Sequence, residues 1–125
     1  MFGLNQIGQI AIPVRNLERS VAFYRDTLGM RFLFQAPPGL AFFMCGDVRL
    51  MLSLPEGEGE LQNHASVIYY KVEDLHSAFA TIRDRGAKVA HEPRLIARMP
   101  DHELWMAFFH DPDENMVGLM CEVHP

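Results

Sequence analysis

Cysteine is scarce in this chain. Its two cysteines, Cys45 and Cys121, sit inside apolar runs and form no Cys-x-x-Cys spacing. That excludes a disulfide framework and fits two small buried hydrophobes in a reducing compartment. Positive charge is also in short supply. Eleven Lys+Arg stand against sixteen Asp+Glu, a net charge of −5, with no basic cluster; a chain of this kind does not grip a phosphate backbone, so no nucleic-acid partner is expected. Long hydrophobic runs are missing. The longest, Leu40–Cys45 and residues 104–109, have six residues each, against about 20 for a membrane-spanning helix. The opening Met-Phe-Gly-Leu-Asn-Gln has no basic stretch leading into an apolar one, so no secretory leader is expected and the cytoplasm is the expected location. Nucleotide-binding glycine loops, a nucleophile elbow and Cys/His zinc spacings are absent too. Gly57-Glu58-Gly59 is followed by neither a helix pattern nor a lysine, so it reads as linker.

What remains is an ordinary globular balance, 49% hydrophobic and 22% charged over 125 residues, the size of one domain spanning 1–125. Inside it the sequence repeats. Val14-Arg15-Asn16-Leu17 is echoed by Val72-Glu73-Asp74-Leu75, and Leu40-Ala41-Phe42-Phe43 by Met106-Ala107-Phe108-Phe109. Each copy reads strand, helix, then three strands. Asn16 and Asp74 suit helix N-caps, because their side-chain oxygens can accept from free backbone N–H groups. Leu17, Val21, Tyr24 and Leu28 form one apolar stripe, and Leu75, Ala78, Phe79 and Ile82 form the other. Gly29 and Gly86 supply the left-handed residue that ends each helix. Runs 30–35, 40–44, 48–53, 87–91, 104–110 and 116–122 read as strands between turns. The expected layout is module one at about 5–54, a Gly- and Glu-rich linker at 55–63, and module two at about 64–123.

These residues carry a family resemblance. Ile10-Ala11-Ile12-Pro13-Val14-Arg15-Asn16-Leu17-Glu18-Arg19-Ser20, then Phe23-Tyr24-Arg25-Asp26 and Leu28-Gly29, resemble the opening of the vicinal oxygen chelate superfamily. Phe108-Phe109-His110-Asp111-Pro112-Asp113-Glu114-Asn115 resembles its closing Phe-x-Asp-Pro-Asp-Gly-Asn turn, with Glu114 where glycine is usual. That superfamily includes glyoxalase I, methylmalonyl-CoA epimerase, extradiol dioxygenases, fosfomycin-modifying enzymes and bleomycin-resistance proteins. The resemblance implies an α+β fold of two βαβββ modules in tandem, forming an eight-stranded curled sheet around a cavity. It also implies a homodimer.

In metal-dependent members, one residue from the first and one from the last strand of each module hold a divalent ion. Carried over, these positions are Gln9, Met51, Val67 and Gly118. Gln9 is the one remaining candidate metal ligand: Met51 is a soft thioether, Val67 has no donor and Gly118 has no side chain. No cofactor is therefore expected, and a divalent metal returns only if the strand register is shifted. Strand parity does not supply replacements. Glu122 lies four residues past Gly118, about 13 Å along a strand, and His64 falls on the opposite parity to Val67.

The same carry-over makes Gln9, Arg49, Met51, Tyr69, Met116 and Gly118 candidate substrate-binding residues on the cavity wall. Arg49 would take a carboxylate or phosphate, or else pair with Glu122 or water. Met51, Met116 and Met120 either suit an adaptable apolar ligand or fill the space as core. Residues 94–105 read as a pocket-covering loop between strands. There His102, flanked by Asp101 and Glu103, is the candidate catalytic base, and Trp105 a platform for a flat ligand. The functional expectation is a small-molecule-binding protein that lacks the usual metal centre. The alternative is a metal-dependent lyase, isomerase or dioxygenase acting on neighbouring oxygens.

Overall fold

The computed structural model describes residues 2–55 and 66–124. The linker expected at 55–63, with Gly57-Glu58-Gly59, and His64 lie almost wholly outside the described residues. The elements run β1 (Gln9–Pro13), α1 (Leu17–Ala22), a π-helical continuation (Phe23–Thr27), β2 (Arg31–Ala36), β3 (Leu40–Cys45) and β4 (Val48–Ser53). They continue as β5 (Ile68–Lys71), α2 (Leu75–Asp84), β6 (Lys88–Arg98), β7 (Glu103–His110) and β8 (Met116–Val123). The chain divides into two compact units between Gln62 and Asn63, each with its own four-stranded sheet, ordered β1-β4-β3-β2 and β5-β8-β7-β6. In each, the first strand lies parallel to the last and the others pair antiparallel. This is the βαβββ module that the repeat predicts, present twice.

Local chemistry sets the helix ends. Asn16 Oδ1 accepts from the Arg19 N–H at 3.0 Å, and Asp74 Oδ1 from the Ser77 N–H at 3.1 Å. Each satisfies a backbone donor that the first helical turn leaves free. Gly29 and Gly86 adopt φ of 72° and 97°, conformations that a Cβ would oppose.

One face of each sheet is sealed by its helix. In the first unit Leu50, Leu52, Ala41 and Phe43 are buried with Val21 and Tyr24. In the second, Ala107, Phe109, Val117, Leu119 and Cys121 are buried with Leu75, Phe79 and Ile82, and Phe79 stacks on Phe109 at 5.0 Å. Burying each valine, leucine, isoleucine or phenylalanine among them contributes about 1.5–3 kcal/mol. Because strand side chains alternate, the opposite face carries the remaining residues of every strand, and the candidate wall residues belong to it.

Against expectation, β6 is longer than its sequence suggests. Residues 94–105 are not a loop. Strand β6 continues to Arg98, and a short turn closed by the Met99 N–H donating to the His102 carbonyl at 2.8 Å leads straight into β7. Arg94, Ile96 and Arg98 are exposed while Leu95 and Ala97 are half-buried, an alternation that suits a strand; the charged ends mask it in the sequence.

The β7–β8 turn explains Glu114. Asp111 is buried, and its Oδ1 accepts from the N–H groups of Asp113 at 2.9 Å and Asn115 at 2.8 Å, while Oδ2 accepts from the Asn115 amide at 2.9 Å. Glu114 then takes φ 66°, the left-handed geometry for which glycine is favoured. Its carboxylate reaches Lys88 Nζ at 3.1 Å.

Candidate functional site

In the first unit the ladder sets Gln9 beside Arg49 and Ala11 beside Met51, with Phe42 next to Met51 on β3. All share the face away from the helix. The side chains interlock: Arg49 Nε donates to Gln9 Oε1 at 2.7 Å, Gln9 Nε2 approaches Met51 Sδ at 3.7 Å, and the Arg49 guanidinium lies over the Phe42 ring at 5.5 Å. Phe34, half exposed, packs on Phe42 at 4.9 Å. Among the described residues no carboxylate pairs with Arg49. Glu122, its expected alternative partner, is engaged by Lys71 Nζ at 3.4 Å. Three of the candidate residues are thus brought together by register alone, and Phe42, which sequence reasoning missed, completes the group. Its parity with Met51 could have revealed it, but only once the β3–β4 pairing was known.

In the second unit Tyr69, Gly118 and Phe108 are adjacent across β5, β8 and β7. A Cβ built on Gly118 would sit 2.9 Å from Tyr69 Cδ2 and 3.2 Å from Phe108 Cε1. The Tyr69 ring, edge-on to Phe108 at 5.7 Å, therefore occupies the space that a side chain at 118 would need. Gly118→Ala is expected to cost about 1–3 kcal/mol through overpacking; urea unfolding checks this, and a neutral substitution would mean the ring moves aside freely. Val67 is 39% exposed with no polar atom to offer. Met116 opens β8 opposite His110 on this same face.

Trp105 is not with them. Paired with Cys121, it lies on the helix side of the sheet, where its ring meets His76 at 5.8 Å and its Nε1 donates to Glu103 Oε1 at 3.2 Å. Together with Glu73 and Asp74 these residues line a shallow cleft of about 350 Å³. His102 stands at the start of β7 with a largely buried side chain. Its Nδ1 lies 2.7 Å from Asp101 Oδ1, and its Nε2 lies 3.6 Å from Glu122 Oε1. The hydrogen bond to His102 holds the Asp101 carboxyl below the usual carboxylate range. His102 borders a second cleft of about 350 Å³ with Arg98, Met99 and Val123.

With this geometry in view, residues 6–119 match the family model described as the Glyoxalase/Bleomycin resistance protein/Dioxygenase superfamily. The chain belongs to that superfamily. A relative from Synechocystis, named a probable lactoylglutathione lyase, is 34% identical over 120 residues, covering 87% of this chain and 89% of its own. The Bacillus subtilis protein YraH, named uncharacterized, is 27% identical over 127 residues, covering 89% and 94%. A crystal structure of lactoylglutathione lyase from Agrobacterium tumefaciens superposes with a TM-score of 0.74 at 21% identity, covering 94% of each chain; that likeness concerns the fold. Among the described residues no helix is long and apolar enough to cross a membrane.

Proposed function

We propose that this superfamily member binds a small organic molecule carrying an acidic group, and does so without the superfamily's chelated ion. One observation carries the reading: an exposed guanidinium, oriented by Gln9 and backed by Phe42, with no carboxylate partner among the described residues. A cation fixed by its Nε leaves its terminal nitrogens to form the paired hydrogen bonds that carboxylates and phosphates accept. Phe42, Phe34 and Met51 add apolar surface for the rest of the ligand. Gln9 is then a positioning residue for Arg49.

The donor set does not fit a chelated divalent ion. The Gln9 amide oxygen already accepts from Arg49. Met51 offers a thioether, Val67 nothing, and the space at Gly118 is taken by the Tyr69 ring. The strand register supports this reading, since it pairs the residues as the repeat predicts and brings no alternative donor to those four positions. The protein is further taken to act in the cytoplasm, on its cysteine usage and N-terminal sequence, and as a homodimer, as the resemblance implies.

Titration of benzoate and its neutral counterpart benzamide, followed by NMR, tests the reading. Benzoate is expected to bind and benzamide to bind less well, with Arg49→Ala weakening benzoate by at least about 1 kcal/mol, roughly fivefold. Equal binding of the two probes, or unchanged binding in the folded variant, would overturn the role of Arg49.

The name of the Synechocystis relative favours a second reading, a glyoxalase-type lyase or isomerase. It predicts formation of lactoylglutathione from methylglyoxal and glutathione when Zn(II) or Ni(II) is added, with loss in Gln9→Ala. That result would replace the ion-free reading.

A further inference from the structure

A different set of donors converges at the far end of the second sheet. The β7–β8 ladder pairs Glu103 with Val123, so the next residues out, His102 and His124, face each other across the strands. Both lie eleven residues from Asp113, the centre of the hairpin turn. Neighbours so placed have Cβ atoms about 5 Å apart, and the two imidazole rings stand 5.4 Å centre to centre. The tight turn before β7 folds Asp101 back over the pair: its Oδ1 reaches His102 Nδ1 at 2.7 Å and its carbonyl oxygen lies 3.1 Å from His124 Nδ1. One donor atom from each of Asp101, His102 and His124 lies within 4.8 Å of the other two.

We propose that Asp101, His102 and His124 form a binding site for a borderline divalent cation of the zinc class. Two imidazoles and a carboxylate are the ligand chemistry such ions select. Donor atoms on one such ion stand about 3.4 Å apart, given tetrahedral bonds of about 2.1 Å, so small rotations of exposed Asp101 and His124 close the site. Behind it an outer shell is already assembled. With Nδ1 of His102 on the ion, its Nε2–H points to Glu122 Oε1 at 3.6 Å, and Lys71 Nζ holds the other Glu122 oxygen at 3.4 Å. A carboxylate receiving the second ring N–H orients a ligating imidazole and raises its basicity. The site is distinct from the superfamily's chelate positions, because His124 lies six residues beyond Gly118, about 20 Å along the strand. It is also independent of whether Arg49 binds an acid.

Calorimetric titration of the untagged full chain with ZnCl2 in metal-free buffer tests the site. One equivalent per chain is expected. His124→Ala and His102→Gln should each weaken binding at least about tenfold, while His76→Ala, which removes an exposed histidine of the same unit, binds as the unaltered protein does. His124→Ala changes an exposed side chain at the end of β8, and matching melts without zinc confirm that it folds. No stoichiometric binding, or binding unchanged in both histidine variants, overturns the proposal. Zinc that both variants retain and Gln9→Ala loses overturns it too, and with it the ion-free reading of the first-unit patch.

Discussion

Phe109→Ala is expected to destabilise the second unit by about 3–5 kcal/mol in urea unfolding. Phe109 is fully buried, pairs with Val89 and Val117 across both neighbouring strands, and stacks on Phe79 of the helix. Truncation removes the transfer free energy of the ring and opens a cavity that two strands and a helix cannot jointly close. Phe34→Ala is the control. It removes a phenylalanine that is 51% exposed and should cost much less. Equal costs at the two positions would mean that α2 does not seal the second sheet as described.

Asp111→Ala is expected to cost about 2–4 kcal/mol by the same measurement. Its carboxylate accepts three hydrogen bonds from Asp113 and Asn115 within the β7–β8 turn, and the residue is buried. Removing it strands donors where water cannot replace the lost acceptor. Asp111→Asn keeps one oxygen acceptor and should lose less. A cost below about 1 kcal/mol for alanine would show that backbone bonding alone holds the turn. The consequence extends beyond stability, because this turn sets the β7–β8 register that places Gly118 opposite Phe108 and His102 opposite His124.

Much of the fold was legible because the devices that specify it are local. Asn16 and Asp74 cap helices through oxygens three residues from the N–H groups they satisfy, and alternating burial in β3 and β4 follows from the pleat. Part of the candidate site was legible for the same reason: parity put Gln9, Arg49 and Met51 on one face, and the ladder keeps them there. The second half of β6 was hidden because its outward positions carry Arg94 and Arg98, whose charge resembles that of a loop. Trp105 was grouped with His102 as part of one pocket-covering segment because the two are near in sequence. The two are three positions apart, an odd offset, so the pleat sends them to opposite faces.

The sequence by itself determined the two βαβββ modules, the caps and glycine stops that bound their helices, and the face on which each strand residue stands. These depend on dihedral preference and on periodicity, both properties of neighbouring residues. Only the tertiary structure decided what each side chain meets. That Arg49 is held by Gln9 over Phe42, that the Tyr69 ring fills the space at Gly118, and that His124 stands across from His102 are all products of register between strands distant in the chain. Register is fixed by turns and by packing across the sheet, and no single segment contains it.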